Sequence, residues 1–335
     1  MYSVAVIGCG AAGLNSAIKI QEKLKNINIV IFAEHVSPYT TSDIAAGLIE
    51  PLTSNNLYPN KNVGKWSSNT LKYLSKLWLE GSAKDLGLSL VPVIELSEEK
   101  DYKFPDWASQ TLGYTKLTND HLKRLSVEHN KTYTGGISYV TFTWESSTFL
   151  PYLQEQFLRN GGKIINRTIH NLGELCDFDL IVNCTGLGAK TLVQDESLEG
   201  YRGQVARVNA PWQLHTLLVD SNYIITNTNS VILGKVKEKD TVAKITDKDK
   251  IHILEGCMNL IPGLKGVQVL NHKAGLRPTR PSIRLEYEQV PHQEKILKVI
   301  HNYGHGSYGI TLSVGCAQEV AEIAQSVLNS FKHKL

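Results

Sequence analysis

The feature that most constrains the fold is a strand–loop–helix–strand pattern at the amino terminus. A short apolar run ends at Gly8, and Gly10 and Gly13 complete the spacing GxGxxG. Apolar residues then recur at helical intervals, and a second β-rich run ends at Glu34. This order predicts a βαβ unit of roughly thirty residues.

Each glycine of this loop has its own structural role. Gly8 permits a tight turn, Gly10 lets the backbone approach a pyrophosphate, and Gly13 allows close packing of helix and strand. The amino end of the helix offers free N–H groups to phosphate, and Glu34 stands where a carboxylate can accept hydrogen bonds from ribose hydroxyls. We therefore predict a dinucleotide site, which by itself does not distinguish FAD from NAD.

Further strand and helix signals follow along the chain. Strands are predicted at 90–96, 133–142, 163–166, 180–183, 267–271, 283–287 and 296–302, and helices at 65–79, 147–160, 247–258 and 317–331. Signals of the dinucleotide type occur at both ends and near the middle. We expect an α/β fold, with a discontinuous Rossmann-type cofactor domain (1–50, 140–195, 275–335) and an inserted β-sheet domain (51–139, 196–274).

Composition excludes several classes of protein. The 335 residues carry a net charge of only +3 and contain no basic block, which argues against a nucleic-acid partner. The five cysteines are scattered, so we expect neither a disulfide framework nor a metal site. We expect no signal peptide, and the sequence contains no apolar run long enough to span a membrane.

Several blocks beyond the first loop resemble the D-amino-acid oxidase and D-aspartate oxidase family. They run in the family's order over almost the whole chain. The blocks are residues 40–48, 182–188, 202–205, 275–281 and 301–309. The resemblance implies non-covalent FAD, held between an FAD-binding domain and a β-sheet substrate domain.

The resemblance also implies which residues contact FAD. Matched by position, they are Gly8, Gly10, Gly13, Glu34, Thr40, Thr41, Ser42, Gly47, Leu48, Ile169, Thr185, Gly186, Gly306, Gly309, Ile310 and Thr311. The family usually has a base after the acid of the second strand, whereas His35 follows Glu34 here. The second glycine loop, Gly304 to Gly309, leads towards the last helix, whose amino end, with Thr311, would stabilise the anionic reduced flavin.

Arg277, Tyr223 and Ser307 are the predicted substrate contacts that match the family. An arginine fork is the best planar partner for an α-carboxylate, and Arg277 falls at the family position that holds it. The resemblance gives Tyr223 a share in that contact and gives the Ser307 carbonyl the substrate amine. The family's Pro-Gly after this tyrosine is missing here, which leaves the position of the Tyr223 ring open.

The implied reaction passes a hydride from the substrate Cα to the flavin. Dioxygen then reoxidises the flavin and yields hydrogen peroxide, and the imino acid hydrolyses to a 2-oxo acid and ammonia. Positioning and cofactor electronics supply the catalysis, so we expect no side chain to act as an essential acid or base. His305 is assigned to the fold of its loop.

The preferred D-amino acid is less defined. Lys237 falls where D-aspartate oxidases resemble one another in having a cation, Ser307 replaces the glycine of the neutral-substrate type, and the connection from Trp212 to Tyr223 is short. A second arginine expected in that connection is absent, and Lys237 also fits a solvated hairpin charge. We predict acidic substrates, D-aspartate and D-glutamate, with neutral D-amino acids as the alternative.

Three other readings stay open at this point. A glycine or sarcosine oxidase shares the fold, a non-catalytic flavoprotein would keep FAD without turnover, and a nicotinamide dehydrogenase would use the first loop alone. The Arg277 block and the second glycine loop favour the D-amino-acid oxidase over all three.

Residues 333–335, His-Lys-Leu, are close to the Ser-Lys-Leu peroxisomal address. We predict a peroxisomal location and an import receptor as partner; otherwise the protein would be cytoplasmic. The alternative is a helix that ends on basic residues. A homo-oligomer is also compatible with the sequence.

Overall fold

The computed structural model of the chain describes residues 1–53, 60–234 and 238–330. The predicted βαβ unit is present at its amino terminus as β1 (Tyr2–Ile7), α1 (Ala11–Lys23) and β2 (Ile27–Ala33). The two strands are parallel. Most residues of α1 from Ala11 to Ile20 are buried and both strands are apolar, so the unit lies within the core.

The remaining elements follow in chain order. The strands are β3 (Leu88–Ser97), β4 (Leu112–Lys116), β5 (Gly135–Trp144), β6 (Lys163–Asn166), β7 (Leu180–Asn183), β8 (Glu199–Val208), β9 (Thr216–Val219), β10 (Asn222–Thr226), β11 (Val231–Gly234), β12 (Glu238–Lys239), β13 (Val269–His292) and β14 (Lys295–His305). The helices are α2 (Val63–Leu79), α3 (Ala83–Leu86), α4 (Asn119–His129), α5 (Ser146–Arg159), α6 (Ala189–Leu192), α7 (Asp247–Leu260) and α8 (Gly309–Asn329).

The strands of the described ranges form one mixed sheet in the order β4-β5-β3-β9-β10-β11-β8-β13-β14-β7-β1-β2-β6. The end from β14 to β6 is parallel, as in a dinucleotide-binding fold. From β4 to β13 the pairing is antiparallel, except between β3 and β9. The α/β fold class predicted from the sequence is confirmed, whereas the proposed domain boundaries stay a prediction.

Different helices cover the two parts of the sheet. The largest core lies between the parallel strands and α1, α5 and α8, and includes Leu14, Phe157 and Ala324. On the antiparallel part, one face packs on α7 through Ile253 and Leu233. Its opposite face is left to line a cavity. No helix of the described residues is both long and apolar enough to cross a bilayer.

Three sequence predictions differ from the structure. The last helix begins at Gly309, directly after the second glycine loop, and not at residue 317. The strands predicted at 267–271 and 283–287 are parts of the single strand β13, which continues through Pro278 and Pro281 with an irregular register. Helix α4 was not predicted, because most of its residues are polar or charged and only Leu122 is buried.

Candidate active site

A cavity of about 790 Å³ lies between the carboxyl ends of the parallel strands and the open face of the antiparallel strands. It extends from Glu34, after β2, to Arg277 on β13. Of the residues predicted to contact FAD, all but Gly13 and Thr311 line it. The predicted FAD contacts that line the cavity are Gly8, Gly10, Glu34, Thr40, Thr41, Ser42, Gly47, Leu48, Ile169, Thr185, Gly186, Gly306, Gly309 and Ile310.

The first glycine loop requires its glycines for three separate reasons. Gly8 adopts φ +103°, which side chains rarely tolerate. A Cβ at Gly13 would lie 1.9 Å from the Gly8 carbonyl oxygen, so Gly13 serves close packing and does not need to reach the cavity. A Cβ at Gly10 would lie 3.0 Å from Ser42 Oγ. The N–H of Ala11 donates to the same Ser42 oxygen at 3.0 Å, which fixes the helix end beside the cavity.

A buried carboxylate holds the segment that faces this loop. Asp43 is fully buried and accepts hydrogen bonds from the Thr40 N–H and hydroxyl, at 2.9 and 2.7 Å, and from Ser37 Oγ at 2.6 Å. Gly47 ends the segment at φ +80°, where a Cβ would lie 2.0 Å from the Trp144 carbonyl oxygen. Both constraints set the path of the chain along the cavity.

The second glycine loop carries the chain from β14 into α8. Gly304 and Gly306 both have positive φ, α8 starts without a side-chain cap, and its first two residues, Gly309 and Ile310, line the cavity. Thr311 lies behind them and is 1% exposed. Two helix amino ends, those of α1 and α8, therefore open into one cavity, which suits a ligand with negative charge at two places.

His305 lies in the wall of the cavity and is buried. Its Nε2 is 3.1 Å from Asn302 Oδ1, and Asn302 in turn donates to Ser16 Oγ on α1 at 3.1 Å. Burial lowers the pKa of His305 to about 4, so the imidazole is neutral at pH 7. These contacts tie the second glycine loop to the first helix.

The register of the antiparallel strands brings the predicted substrate contacts together. Leu218 on β9 pairs with Tyr223 on β10, Tyr223 with Gly234 on β11, and Gly234 with Val205 on β8. Paired residues project from the same face of a sheet. On this face Tyr223 and Arg277 line the cavity, although more than fifty residues separate them in the chain.

Two glycines leave space for these side chains. A Cβ at Gly203 would lie 2.5 Å from both terminal nitrogens of Arg277, and a Cβ at Gly234 would lie 2.0 Å from Tyr223 Cζ. Arg277 Nη1 donates to the Arg202 carbonyl at 3.3 Å. Burial raises the pKa of Tyr223, while the Arg277 guanidinium, which shares a side-chain hydrogen bond with it, acts in the opposite direction.

The other two predicted substrate residues differ in what the structure describes. Ser307 lies within the second glycine loop, lines the cavity and is exposed. Lys237 lies outside the described residues. The connection from β9 to β10 consists of Asp220 and Ser221, a tight turn that leaves this side of the cavity without a longer covering loop.

Sequence reasoning missed Glu50, which also lines the cavity. Burial, together with the neighbouring carboxylate of Glu95, raises the pKa of Glu50 to about 7. Its position, two residues after Leu48 in an extended segment, is a signal that was available, because Leu48 and Glu50 then face the same side.

A buried ion pair was also missed. Glu145 and Arg207 are 3% and 5% exposed, and their charged atoms lie 3.9 Å apart. The Glu145 carboxylate accepts from the Asn229 N–H and amide, both at 2.9 Å, and from Ser230 Oγ at 3.0 Å, while Arg207 donates to the Asp43 carbonyl at 3.1 Å. The pair anchors the cavity segment to the sheet, and spacing in the sequence gives no sign of it.

Comparison with known proteins places the chain in a class. A family model described as FAD dependent oxidoreductase matches residues 3–323. In fold, the chain is similar to glycine oxidase from Geobacillus kaustophilus, with a TM-score of 0.79 at 16% identity, covering 97% of this chain and 95% of that one.

Curated relatives narrow the class. D-aspartate oxidase of Homo sapiens is 33% identical over 337 residues, covering 98% of this chain and 96% of that protein. D-amino acid oxidase of Dugesia ryukyuensis is 32% identical over 334 residues, covering 97% and 98%. The chain belongs to the FAD dependent oxidoreductase family, in its group of D-amino-acid and D-aspartate oxidases, and its cofactor is FAD.

The cavity has the features that FAD needs. Two helix amino ends are open for anionic groups, and Gly8, Gly186 and Gly306 hold positive-φ turns that keep the walls free of side chains. Glu34 stands at the end of β2, where ribose hydroxyls would donate to it. The donors and the shape therefore agree with the family's cofactor.

Proposed function

We propose that this protein oxidises D-amino acids at the Cα–N bond, with the substrate carboxylate bound by Arg277 and Tyr223. The observation that supports this most is that both side chains line the same cavity as the glycine loops assigned to FAD. A guanidinium beside a hydroxyl is the chemistry that recognises an α-carboxylate.

The protein's own contribution is binding and orientation. Arg277 and Tyr223 hold the carboxylate on the sheet face, and the Ser307 carbonyl accepts from the substrate amine, so that Cα is directed towards the glycine-loop side of the cavity. Bound FAD would accept the Cα hydride and pass the two electrons to dioxygen, which gives hydrogen peroxide, and water would hydrolyse the remaining imino acid to a 2-oxo acid and ammonia. The amino end of α8 stabilises negative charge that develops beside it.

No side chain is required as a general base in this proposal. His305 is a base within the second glycine loop, but it is neutral, buried and hydrogen-bonded to Asn302. A group whose pKa is about 4 removes a proton from an ammonium poorly at neutral pH. The substrate ammonium therefore loses its proton to solvent and not to a side chain.

Preference for acidic D-amino acids stays a prediction. It rests on Lys237, which lies outside the described residues, and on Ser307, which lines the cavity. The relatives named above include a D-aspartate oxidase and a D-amino acid oxidase, at nearly equal identity. The chemistry of the remaining cavity wall is the better guide to the side chain that is accepted.

The test is peroxide release from purified, FAD-loaded protein with D-Ala, D-Pro, D-Asp, D-Asn, glycine, sarcosine and L-Ala. Turnover of D-isomers is expected, with 2-oxo acid and ammonia in equal amounts from D-Ala, D-Asp and D-Asn. D-Pro should release peroxide without ammonia, because its nitrogen stays bonded in the product. Turnover of glycine or sarcosine alone would favour the related oxidase class. Bound flavin that is not reduced by any D-isomer under anaerobic conditions would overturn the proposal.

We also propose that the enzyme acts in peroxisomes, where its peroxide would be removed. The support is the chemistry and the tripeptide 333–335, which lies outside the described residues. Deletion of the tripeptide from a fluorescently tagged full-length chain should move it from peroxisomes to the cytosol, and an unchanged distribution would contradict the proposal.

A further inference from the structure

Glu50 places a carboxyl group on the wall of the substrate cavity. Leu48 forms a bridge to Thr143 of β5, and the N–H of Ile49 donates to the Phe142 carbonyl at 2.9 Å, so this segment is extended. Ile49 is fully buried on one side. Leu48 and Glu50 therefore face the other side, and both line the cavity that contains Arg277 and Tyr223.

The charged neighbour that acts on Glu50 is a second carboxylate, that of Glu95. Glu95 lies on β3 in register with Leu218 of β9, on the sheet face that bears Tyr223, and it raises the pKa of Glu50. The Tyr102 hydroxyl donates to Glu95 Oε1 at 3.1 Å, and the pKa of Glu95 is itself raised by burial.

Tyrosines complete the surroundings on β5 and on the second glycine loop. Tyr139 is buried beside Glu50, Glu95 and Tyr308, and these neighbours, after burial itself, raise its pKa well above the usual value. Its hydroxyl makes no hydrogen bond with any residue of the described ranges. This part of the sheet-face wall is thus acidic, in contrast to the part at Arg277.

We propose that Glu50 determines the side-chain specificity of the enzyme, by selecting D-amino acids whose side chains donate hydrogen bonds and by rejecting those with a second carboxylate. This inference rests on the proposed function, because it assigns the part of the cavity that faces the substrate side chain. It runs against the acidic preference predicted from Lys237 and Ser307.

The physical reason is the interaction between like charges in a partly desolvated space. A substrate carboxylate near an ionised Glu50 is repelled, whereas an amide N–H or an ammonium is stabilised by the same oxygen atoms. The effect depends on pH, because Glu50 with a pKa of about 7 is neutral below that value and ionised above it. A distal carboxylate on the substrate stays ionised across this range, so its rejection strengthens as pH rises through about 7.

D-Asn and D-Asp are the matched substrates for the test, since they share a shape and differ in charge. We expect kcat/KM to favour D-Asn by on the order of tenfold at pH 8, and the ratio to fall as pH is lowered to 5.5. Glu50→Gln should remove most of this ratio and its pH dependence. A ratio that is unchanged in Glu50→Gln, or that is flat with pH in the wild type, would overturn the proposal.

Two further variants test whether the charge acts through the cavity. Glu95→Gln removes the neighbouring charge, so the midpoint of the pH dependence should move to lower pH. Glu155→Gln removes the same charge from the exposed surface of α5 and should leave both ratio and midpoint unchanged. Equal effects of all three variants would show that only net charge matters and would contradict the role of Glu50.

Binding of unreactive analogues separates this inference from the proposed function. Succinate and its monoamide, succinamate, reproduce the pair of side chains, and their dissociation constants can be measured from the absorbance change of the bound flavin. Tighter binding of succinamate at pH 8, lost in Glu50→Gln, is expected even if no D-amino acid is oxidised. Wild-type protein that binds both equally would overturn the inference, whatever its activity.

Discussion

The two ends of the cavity are built in different ways. At the glycine loops, the walls consist of backbone, two open helix ends and turns such as Gly8 and Gly306, which a side chain would block. At the antiparallel sheet face, the walls consist of side chains, among them Tyr223, Arg277 and Glu50. The first end offers N–H groups to anionic groups, and the second offers one cation and one carboxyl for a small zwitterion.

This difference explains why the two ends tolerate change differently. A wall of backbone groups has a fixed geometry that every sequence of the fold must keep, so its glycines cannot be exchanged without moving the chain. A wall of side chains can change its charge at one position while the sheet stays the same. Specificity is therefore expected to vary at the sheet face, and cofactor binding to be constant at the loops.

The largest effect is expected at Arg277, the cation of the sheet face. Arg277→Met keeps the apolar stem but leaves the substrate carboxylate without its partner. The transition state should lose about 3 kcal/mol of stabilisation, which lowers kcat/KM roughly 150-fold. FAD affinity should stay at the wild-type value. Steady-state kinetics and flavin titration measure the two quantities, and Arg124→Met on the exposed face of α4 is the matched control.

If Arg277→Met lost FAD and activity together, the two ends of the cavity would not be independent. The comparison above would then fail.

A smaller effect, on folding and FAD affinity, is expected at Gly13. A methyl group there would meet the Gly8 carbonyl oxygen at 1.9 Å, and because both atoms belong to the backbone, the loop must shift. Gly13→Ala should lower the free energy of unfolding by about 2 kcal/mol and weaken FAD binding. Urea denaturation and flavin titration measure both.

Gly64→Ala in α2 is the control, because its added carbon would lie 3.5 Å from the nearest atom, the Leu52 carbonyl oxygen. That variant should be as stable as the wild type or more so, since alanine favours a helix over glycine. Equal losses of unfolding free energy and FAD affinity in the two variants would mean that the close approach of Gly13 and Gly8 does not cause them.

The smallest effect is expected at Gly203, under the Arg277 guanidinium. A methyl group would lie 2.5 Å from both terminal nitrogens, which can move because they end a flexible side chain. Gly203→Ala should therefore leave unfolding and FAD binding nearly unchanged, while kcat/KM falls by about tenfold through displacement of the guanidinium.

A double-mutant cycle checks this explanation. In the Arg277→Met background, Gly203→Ala should lower kcat/KM little further, because the guanidinium that it displaces is already absent. Full additivity of the two losses would show that Gly203 acts by another route.

The sequence alone determined the glycine-loop end, because its signals are local. The GxGxxG spacing with Glu34 at the end of the next strand predicts a helix amino end and a turn within about thirty residues, and both are present. The blocks that match the family in order along the chain predicted the second glycine loop and Arg277 as parts of the site. The family itself is confirmed. The start of α8 at Gly309 was placed too late, since small residues at its amino end weaken the apolar pattern there.

Only the tertiary structure decided the sheet-face end. Tyr223, Gly234, Gly203 and Arg277 meet through the register of neighbouring strands, and register depends on pairings between residues far apart in sequence. The alternation from Leu48 indicates which side Glu50 faces, but its approach to Glu95 has no local signal, because an isolated glutamate in an extended segment is usually solvated. Its raised pKa arises from burial and a neighbour forty-five positions away, which only the folded chain brings together.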